Sequence, residues 1–220
     1  ALPTLLTSLS VPLSRYIFNS VFVAVVTVVV HIFIASMASF VLAKSDLKGR
    51  NILYWIVQFA LLYNAYTLAI PQYLIFTKMG IIDTLLVYIL PYLPSTLGVF
   101  LMKQYMDDSV PVALLEAARI DGAGYFSIYF RIVMPLIKPA WLTLLLFAFR
   151  DMWSMQPTGT IFSEEMKTLP YVLSQVVSGG LARAGSAKAA TVLMMIPPII
   201  VYLISQSNVM ETMSSAGIKD

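Results

Sequence analysis

Long apolar runs constrain this chain more than any other feature. The first, from about Tyr16 to Ala43, is longer than the roughly 20 residues a helix needs to cross the roughly 30 Å hydrocarbon core of a bilayer. It far exceeds the about 7 to 15 residues of a signal-peptide core and has no basic segment before it, so it reads as a true span. Comparable runs recur, and five spanning helices are expected at about 16–43, 52–75, 84–102, 137–158 and 188–206. Composition agrees: 59% of the 220 residues are hydrophobic and 11% charged, against about 45 to 50% and about 25% in soluble domains. The expected class is all-α integral membrane, a helical bundle forming one transmembrane domain over residues 1–220. Because the first residue is Ala1, the natural chain is expected to be processed or to continue upstream, with room for a further N-terminal span.

Several function classes drop out early. With no cysteine and one histidine, disulfides, thiolate metal sites, Cys–His nucleophile pairs and multi-histidine zinc sites are excluded. No catalytic or metal-binding residues are expected. The net charge of +3 lies mostly in loops between apolar runs, where it reports orientation rather than nucleic-acid binding. No repeat, low-complexity segment or detached soluble domain is visible.

The loop cations set the expected orientation. Lys44, Lys48 and Arg50 crowd the loop after the first span, and Lys103, Arg119, Arg131 and Lys138 populate the long loop after the third. By the positive-inside rule both are cytoplasmic. The other side holds the mixed set Arg15, Lys78, Asp83, Glu164, Glu165, Lys167, Arg183 and Lys188. The N-terminus is then outside and the C-terminus inside. Prolines interrupt the runs: Pro71 near the end of the second span, Pro91 and Pro94 in the third, Pro197 and Pro198 in the fifth. Each removes a backbone donor. Such breaks survive in lipid only where neighbouring helices or a cavity re-satisfy the backbone, either as ordinary kinks in a packed bundle or around a pathway.

The informative stretch is residues 103 to 139, of which 103–136 forms a cytoplasmic loop too polar to span and too patterned to be slack. Ser109 or Asp108 can cap a helix, Pro111 suits a first turn, and VALLEAARI runs to the stop signal Asp121-Gly122. A second helix from roughly Tyr125 to Val133 presents Tyr125, Phe126, Tyr129 and Phe130 to water or to a partner. Pro135 and Pro139 mark the return to the bilayer.

Spacing makes this loop specific. Glu116-Ala117-Ala118, three residues, Gly122, nine residues, Ile132, one residue, then Met134-Pro135 resembles the EAA motif of ATP-binding-cassette (ABC) importer permeases. Met134 stands where leucine is usual, a near-isosteric change. The flanks EAARIDGAG and MPLIKPA, with RYIFNS near the start and SAGIKD at the end, resemble the carbohydrate importer permeases of the maltose type across essentially the whole chain. The resemblance implies a type I ABC importer permease fold whose coupling helix docks in a groove of an ATPase subunit. The docking residues would be Glu116, Ala117, Ala118, Asp121, Gly122, Ile132 and Pro135. Small Ala117 and Ala118 let a partner approach, Glu116 offers a charge to a basic residue, and Gly122 permits a turn that a side chain would obstruct. The alternative is a solvated amphipathic helix at the membrane surface.

The string GLARAGS at 180–186 lacks the lysine of a phosphate-binding loop and a preceding strand. The chain is thus expected to be no enzyme and to bind no cofactor, with ATP and Mg on a partner ATPase dimer. The resemblance further implies a second homologous permease, an extracytoplasmic solute-binding protein, and the plasma membrane of a bacterium or archaeon.

Polar groups inside spans need explanation, because Arg or Asp at mid-membrane costs about 2.5 to 3.5 kcal/mol. Arg150 and Asp151, with Trp153, either form a structural polar network or touch substrate; Ser154 stands where the family usually has asparagine. Gln58, Tyr63, Asn64 and Tyr66 suit a sugar pathway or interhelical packing. His31 either titrates or packs. Asn19 and Ser20 either cap or bind. The segment 159–187, with Leu169, Val172, Leu173, Val176 and Val177 in helical register, suits an amphipathic helix near the outer face. Two other transporter readings stay open, a permease for an amino acid, peptide or oxyanion and an ion-driven secondary transporter; the latter lacks the internal inverted repeats it would predict. A receptor-anchoring membrane protein is a third.

Overall fold

The computed structural model describes residues 11–62, 65–157, 159–178 and 184–216. Among these, all regular structure is helical. They fall into two compact units. The first takes residues up to 28, 65–92 and 146–205, and the second takes 29–64, 93–145 and those from 206 on.

Helix α1, Leu13–Lys44, contributes to both units. It starts just after Pro12, whose fixed φ suits a helix start, and closes with Lys44 against the negative end of the helix dipole. Its faces are sorted opposite to those of a soluble helix. Phe18, Val21, Val25 and Val29 are more than half exposed, while Asn19, Ser20, Thr27, His31, Ser36 and Ser39 are buried. Lipid makes that arrangement favourable, since tails solvate large apolar groups; Asn19, Ser20, His31, Ser36 and Ser39 find hydrogen-bond partners, and Thr27 Oγ1 is buried without one.

The second expected span is two helices rather than one. Helix α2, Arg50–Leu61, rises only about 18 Å; a 3-10 turn, Ala65–Leu68, leads into α3, Ala69–Met79. Pro71 does not sit near the end of a span. It is in the first turn of α3, where its missing N–H would have no intrahelical partner in any case.

In the third run α4, Leu86–Ile89, passes into a 3-10 turn, Leu90–Tyr92, and after a break α5 follows, Thr96–Ser109. The break at Pro94 is repaired by Ser95, whose Oγ accepts the Gly98 N–H at 3.0 Å. Helix α5 continues to Ser109, so Lys103 to Ser109 are helical rather than loop. Within the second unit Gly98 permits close packing. A Cβ there would fall 2.1 Å from Ser95 Oγ, 2.7 Å from Leu144 Cδ2 and 3.1 Å from Ala35 Cβ.

Two short helices, α6 (Val112–Ile120) and α7 (Tyr125–Ile128), follow, then a π-helical turn, Tyr129–Val133, and α8, Met134–Leu136. Helix α9, Lys138–Ser154, leaves at 78° to the preceding segment and ends four residues short of the expected 158. Helix α10, Leu169–Ser178, buries Leu169, Val172 and Leu173 against Tyr16 in the core of the first unit. Helix α11, Ala184–Ala216, carries Pro197 and Pro198 internally and continues ten residues past 206, the expected end of the fifth span. Among the described residues one helix is long and apolar enough to cross a membrane, or three if each bent pair is one span, and Thr191–Gln206 is a shorter apolar stretch. Breaks therefore fall within the second run and, beside the prolines that the sequence marks, within the third, whereas the fifth runs on through Pro197 and Pro198.

Candidate functional site

The signature loop folds as a projecting helix with a tightly closed C-terminus. Val110 and Pro111 are extended, so Pro111 rather than Ser109 or Asp108 stands at the start of α6, without a side-chain cap. Leu115 anchors α6 at 3% exposure, whereas Val112, Glu116, Ala117, Arg119, Ile120 and Asp121 face outward. Ile120, at 86% exposed, has no intramolecular reason to be apolar.

The glycine of the signature acquires a specific cause. Gly122 N–H donates to the Arg119 carbonyl at 3.0 Å and Ala123 N–H to the Ala118 carbonyl at 2.9 Å. That pairing defines a Schellman C-cap and requires a left-handed residue at the first position past the cap; Gly122 has φ +82. A Cβ there would meet nothing within 4 Å. The expectation that a side chain would obstruct the turn is therefore corrected: the constraint is backbone conformation, not space.

Past the turn, Arg119 lies over the exposed Tyr125 ring at 5.2 Å. Phe126 and Phe130 are exposed, as read from sequence, but Tyr129 is not. It is buried against α1, its hydroxyl 2.6 Å from Ser36 Oγ, its ring 5.8 Å from Phe40 and edge-on to Phe33 at 6.4 Å. Met134 N–H reaches back five residues to the Tyr129 carbonyl. This wider turn sits directly before Pro135, which cannot donate to the Arg131 carbonyl and would crowd it. Ile132 is half-buried and Pro135 exposed.

The pathway candidates divide between the units. Tyr63 and Asn64 lie outside the described residues, and only the backbone of Tyr66 is described, in the 3-10 turn. Gln58 is half-buried on α2 of the second unit. Arg150, Asp151 and Trp153 belong to the first unit. There Asp151 Oδ2 accepts the Tyr92 hydroxyl at 3.0 Å. Trp153 is buried, stacks on Phe149 at 5.8 Å and donates its indole N–H to the Met194 carbonyl at 2.9 Å. Met194 is the carbonyl that residue 198 would serve in an unbroken helix, and Pro198 has no N–H to give. Trp153 thus supplies the donor the proline removed. Beside this pair lies a cavity of about 440 Å³ lined by Arg150, Trp153, Ser154, Gln156, Thr191 and Met194 among others.

Three other polar residues of α1 form hydrogen bonds within the unit that holds them. His31 is buried and paired with Ser95 Oγ at 2.8 Å. Asn19 Nδ2 donates to the carbonyls of Glu165 and Lys167 at 2.7 and 3.0 Å, and Ser20 Oγ accepts the Leu169 N–H at 2.7 Å, capping α10 from another helix. Sequence reading assigned no role to Asp83. In the left-handed region at φ 61, it accepts the backbone N–H groups of Phe162 and Ser163 at 2.9 and 2.8 Å and the Ser163 hydroxyl. The Ser163 hydroxyl, with the backbone donors, holds its carboxyl below the ordinary range. The only local hint was an Asp close after Gly80 in a turn, a residue type that tolerates such backbone.

Residues 32–215 match the family described as binding-protein-dependent transport system inner membrane component. Among similar proteins, the arabinooligosaccharides transport system permease protein AraQ of Bacillus subtilis is 31% identical over 207 residues, covering 93% of this chain and 73% of the relative. The melibiose/raffinose/stachyose import permease protein MelC of the same species is 27% identical, covering 86% and 70%. Among solved structures, one from a bacterial ABC transporter that imports the acidic polysaccharide alginate superposes with a TM-score of 0.74 at 27% identity, covering 88% of this chain and 74% of that one.

Proposed function

The chain belongs to the family of binding-protein-dependent transport system inner membrane components, and from that premise we propose that it forms half of the translocation pathway of an ABC importer for a sugar or oligosaccharide. The saccharide class is supported by the relatives that cover most of the chain, which transport arabinooligosaccharides and raffinose-type sugars. The work enters from a separate ATPase dimer that carries the ATP and Mg. A second homologous permease and an extracytoplasmic solute-binding protein complete the assembly. The N-terminus of the described chain lies outside and the C-terminus in the cytoplasm. Gln58, Tyr63, Asn64, Tyr66, Arg150, Asp151 and Trp153 are the candidate pathway residues.

The observation that carries the coupling role is α6 itself. It is held by one buried leucine, and its outward face puts Glu116 and Ala117 between the exposed apolar residues Val112 and Ile120. Exposed apolar area on a short lever marks a partner surface. The ATPase would press on α6, with Asp121, Gly122, Ile132 and Pro135 shaping the seat. Tyr129, bonded to Ser36, then ties the loop to α1.

Copurification tests this. The tagged chain, taken from its host in mild detergent, should bring down an ATPase and a second permease, and Glu116→Lys should lose the ATPase but keep the permease. Isolation of the wild-type chain alone, with solute still accumulating through it, would leave an ion-driven carrier as the reading.

A further inference from the structure

We infer that the cavity beside α9 takes a saccharide bearing a carboxylate, with Arg150 as its counter-charge; this rests on the permease reading above and specifies its substrate class. The volume, about 440 Å³, falls in the range of small-molecule sites. Its lining is mixed: Met194 and Pro198 give apolar surface, Ser154 and Gln156 give exposed hydrogen-bonding groups, and Trp153 spends its indole N–H on Met194. That combination fits a ring with one apolar face and hydroxyl edges.

The charge decides the class. Arg150 is exposed and lines the cavity, and among the described residues no carboxylate lies within ion-pair distance of it. The nearest acid in sequence, Asp151, accepts the Tyr92 hydroxyl instead. The Glu164 carboxylate of the same unit is paired with Lys167. A neutral sugar entering here would strip water from a guanidinium and leave it unpaired, which is unfavourable. A carboxylate would meet the planar guanidinium donors that suit two-point recognition. Arg150 therefore selects for a uronic acid unit over its neutral counterpart.

The test uses the assembled complex, the full chain with its copurified permease and ATPase, in nanodiscs at fixed salt. Calorimetric titration compares digalacturonate with the neutral galactobiose of the same linkage. Wild type should bind digalacturonate about tenfold or more tighter, the scale of a charge-assisted hydrogen bond. Arg150→Gln should bring the two sugars within about twofold of each other, chiefly by weakening digalacturonate, and Arg150→Lys should restore part of the preference. Copurification of both partners with each variant establishes assembly. Equal affinities in wild type, no binding of either sugar, or an undiminished preference in Arg150→Gln would each overturn the inference. Failure of the importer reading is seen separately and earlier, as a wild-type chain with no ATPase or second permease attached.

Discussion

Asp83 shows how much one side chain can organise. Its carboxylate gathers two backbone N–H groups and a hydroxyl from residues 162–163, and its own N–H donates to the Thr160 carbonyl at 2.9 Å. Because the native pKa is lowered, by the Ser163 hydroxyl first, the clamp's contribution is complete above the unfolded carboxyl pKa, roughly 3.9, and is lost as pH falls through the lower native value. The difference in thermal stability between wild type and Asp83→Asn should therefore stay constant from neutral pH to about 5 and shrink below roughly 4. A difference that instead changed between pH 6 and 8 would assign the effect to another group. Trp153 is a second case. The sequence leaves it open between a structural polar network and substrate contact, and its N–H is spent on the carbonyl that Pro198 leaves without a donor. A sequence announces the proline; it does not announce which residue far along the chain will answer it.

Helices meet in the second unit through small residues. Gly98 on α5 faces Ala35 of α1 and Leu144 of α9, and Ser39 Oγ donates to the Val99 carbonyl at 3.0 Å. Sequence reading passed over Gly98 because it sits in an apolar run with no turn or motif to mark it. Gly98→Ala would put a methyl group 2.1 Å from Ser95 Oγ and 2.7 Å from Leu144, displacing the side chain that both caps α5 and bonds His31. Overpacking of this kind costs about 1 to 3 kcal/mol. The variant should melt at lower temperature in detergent and become prone to proteolysis in the 93–98 segment, and unchanged melting would mean the helices separate more freely than their packing implies. The elements best read in advance were α6, which begins at Val112 and stops at Asp121 as the residue types dictate, and α1, whose apolar length left no alternative. Those read least well were the broken spans. Hydropathy sums over a window and does not show that the helix within it ends at Leu61 and restarts before Pro71.

At the scale of the whole molecule, the charges of the loops imply a direction across the membrane. Since the chain has no cysteine, single introduced thiols report it cleanly. In intact cells, an impermeant maleimide should label Phe162→Cys, exposed in the native chain, and should label Gly124→Cys, also exposed, only after the membrane is opened. The reverse pattern would invert the proposed orientation and remove the ATPase from α6. The all-helical membrane class, the absence of cysteine and multi-histidine chemistry and the helix–turn–helix of the signature loop were determined by sequence alone, because each follows from residue type, run length or spacing between neighbours along the chain. The engagement of Asp83 by Ser163, the capping of α10 by Ser20, the answer of Trp153 to Pro198 and the burial of Tyr129 beside Ser36 were decided only by tertiary structure. Each satisfies a polar group of one segment with a group from a distant one, and such pairing depends on which helices come together, a quantity no local pattern contains.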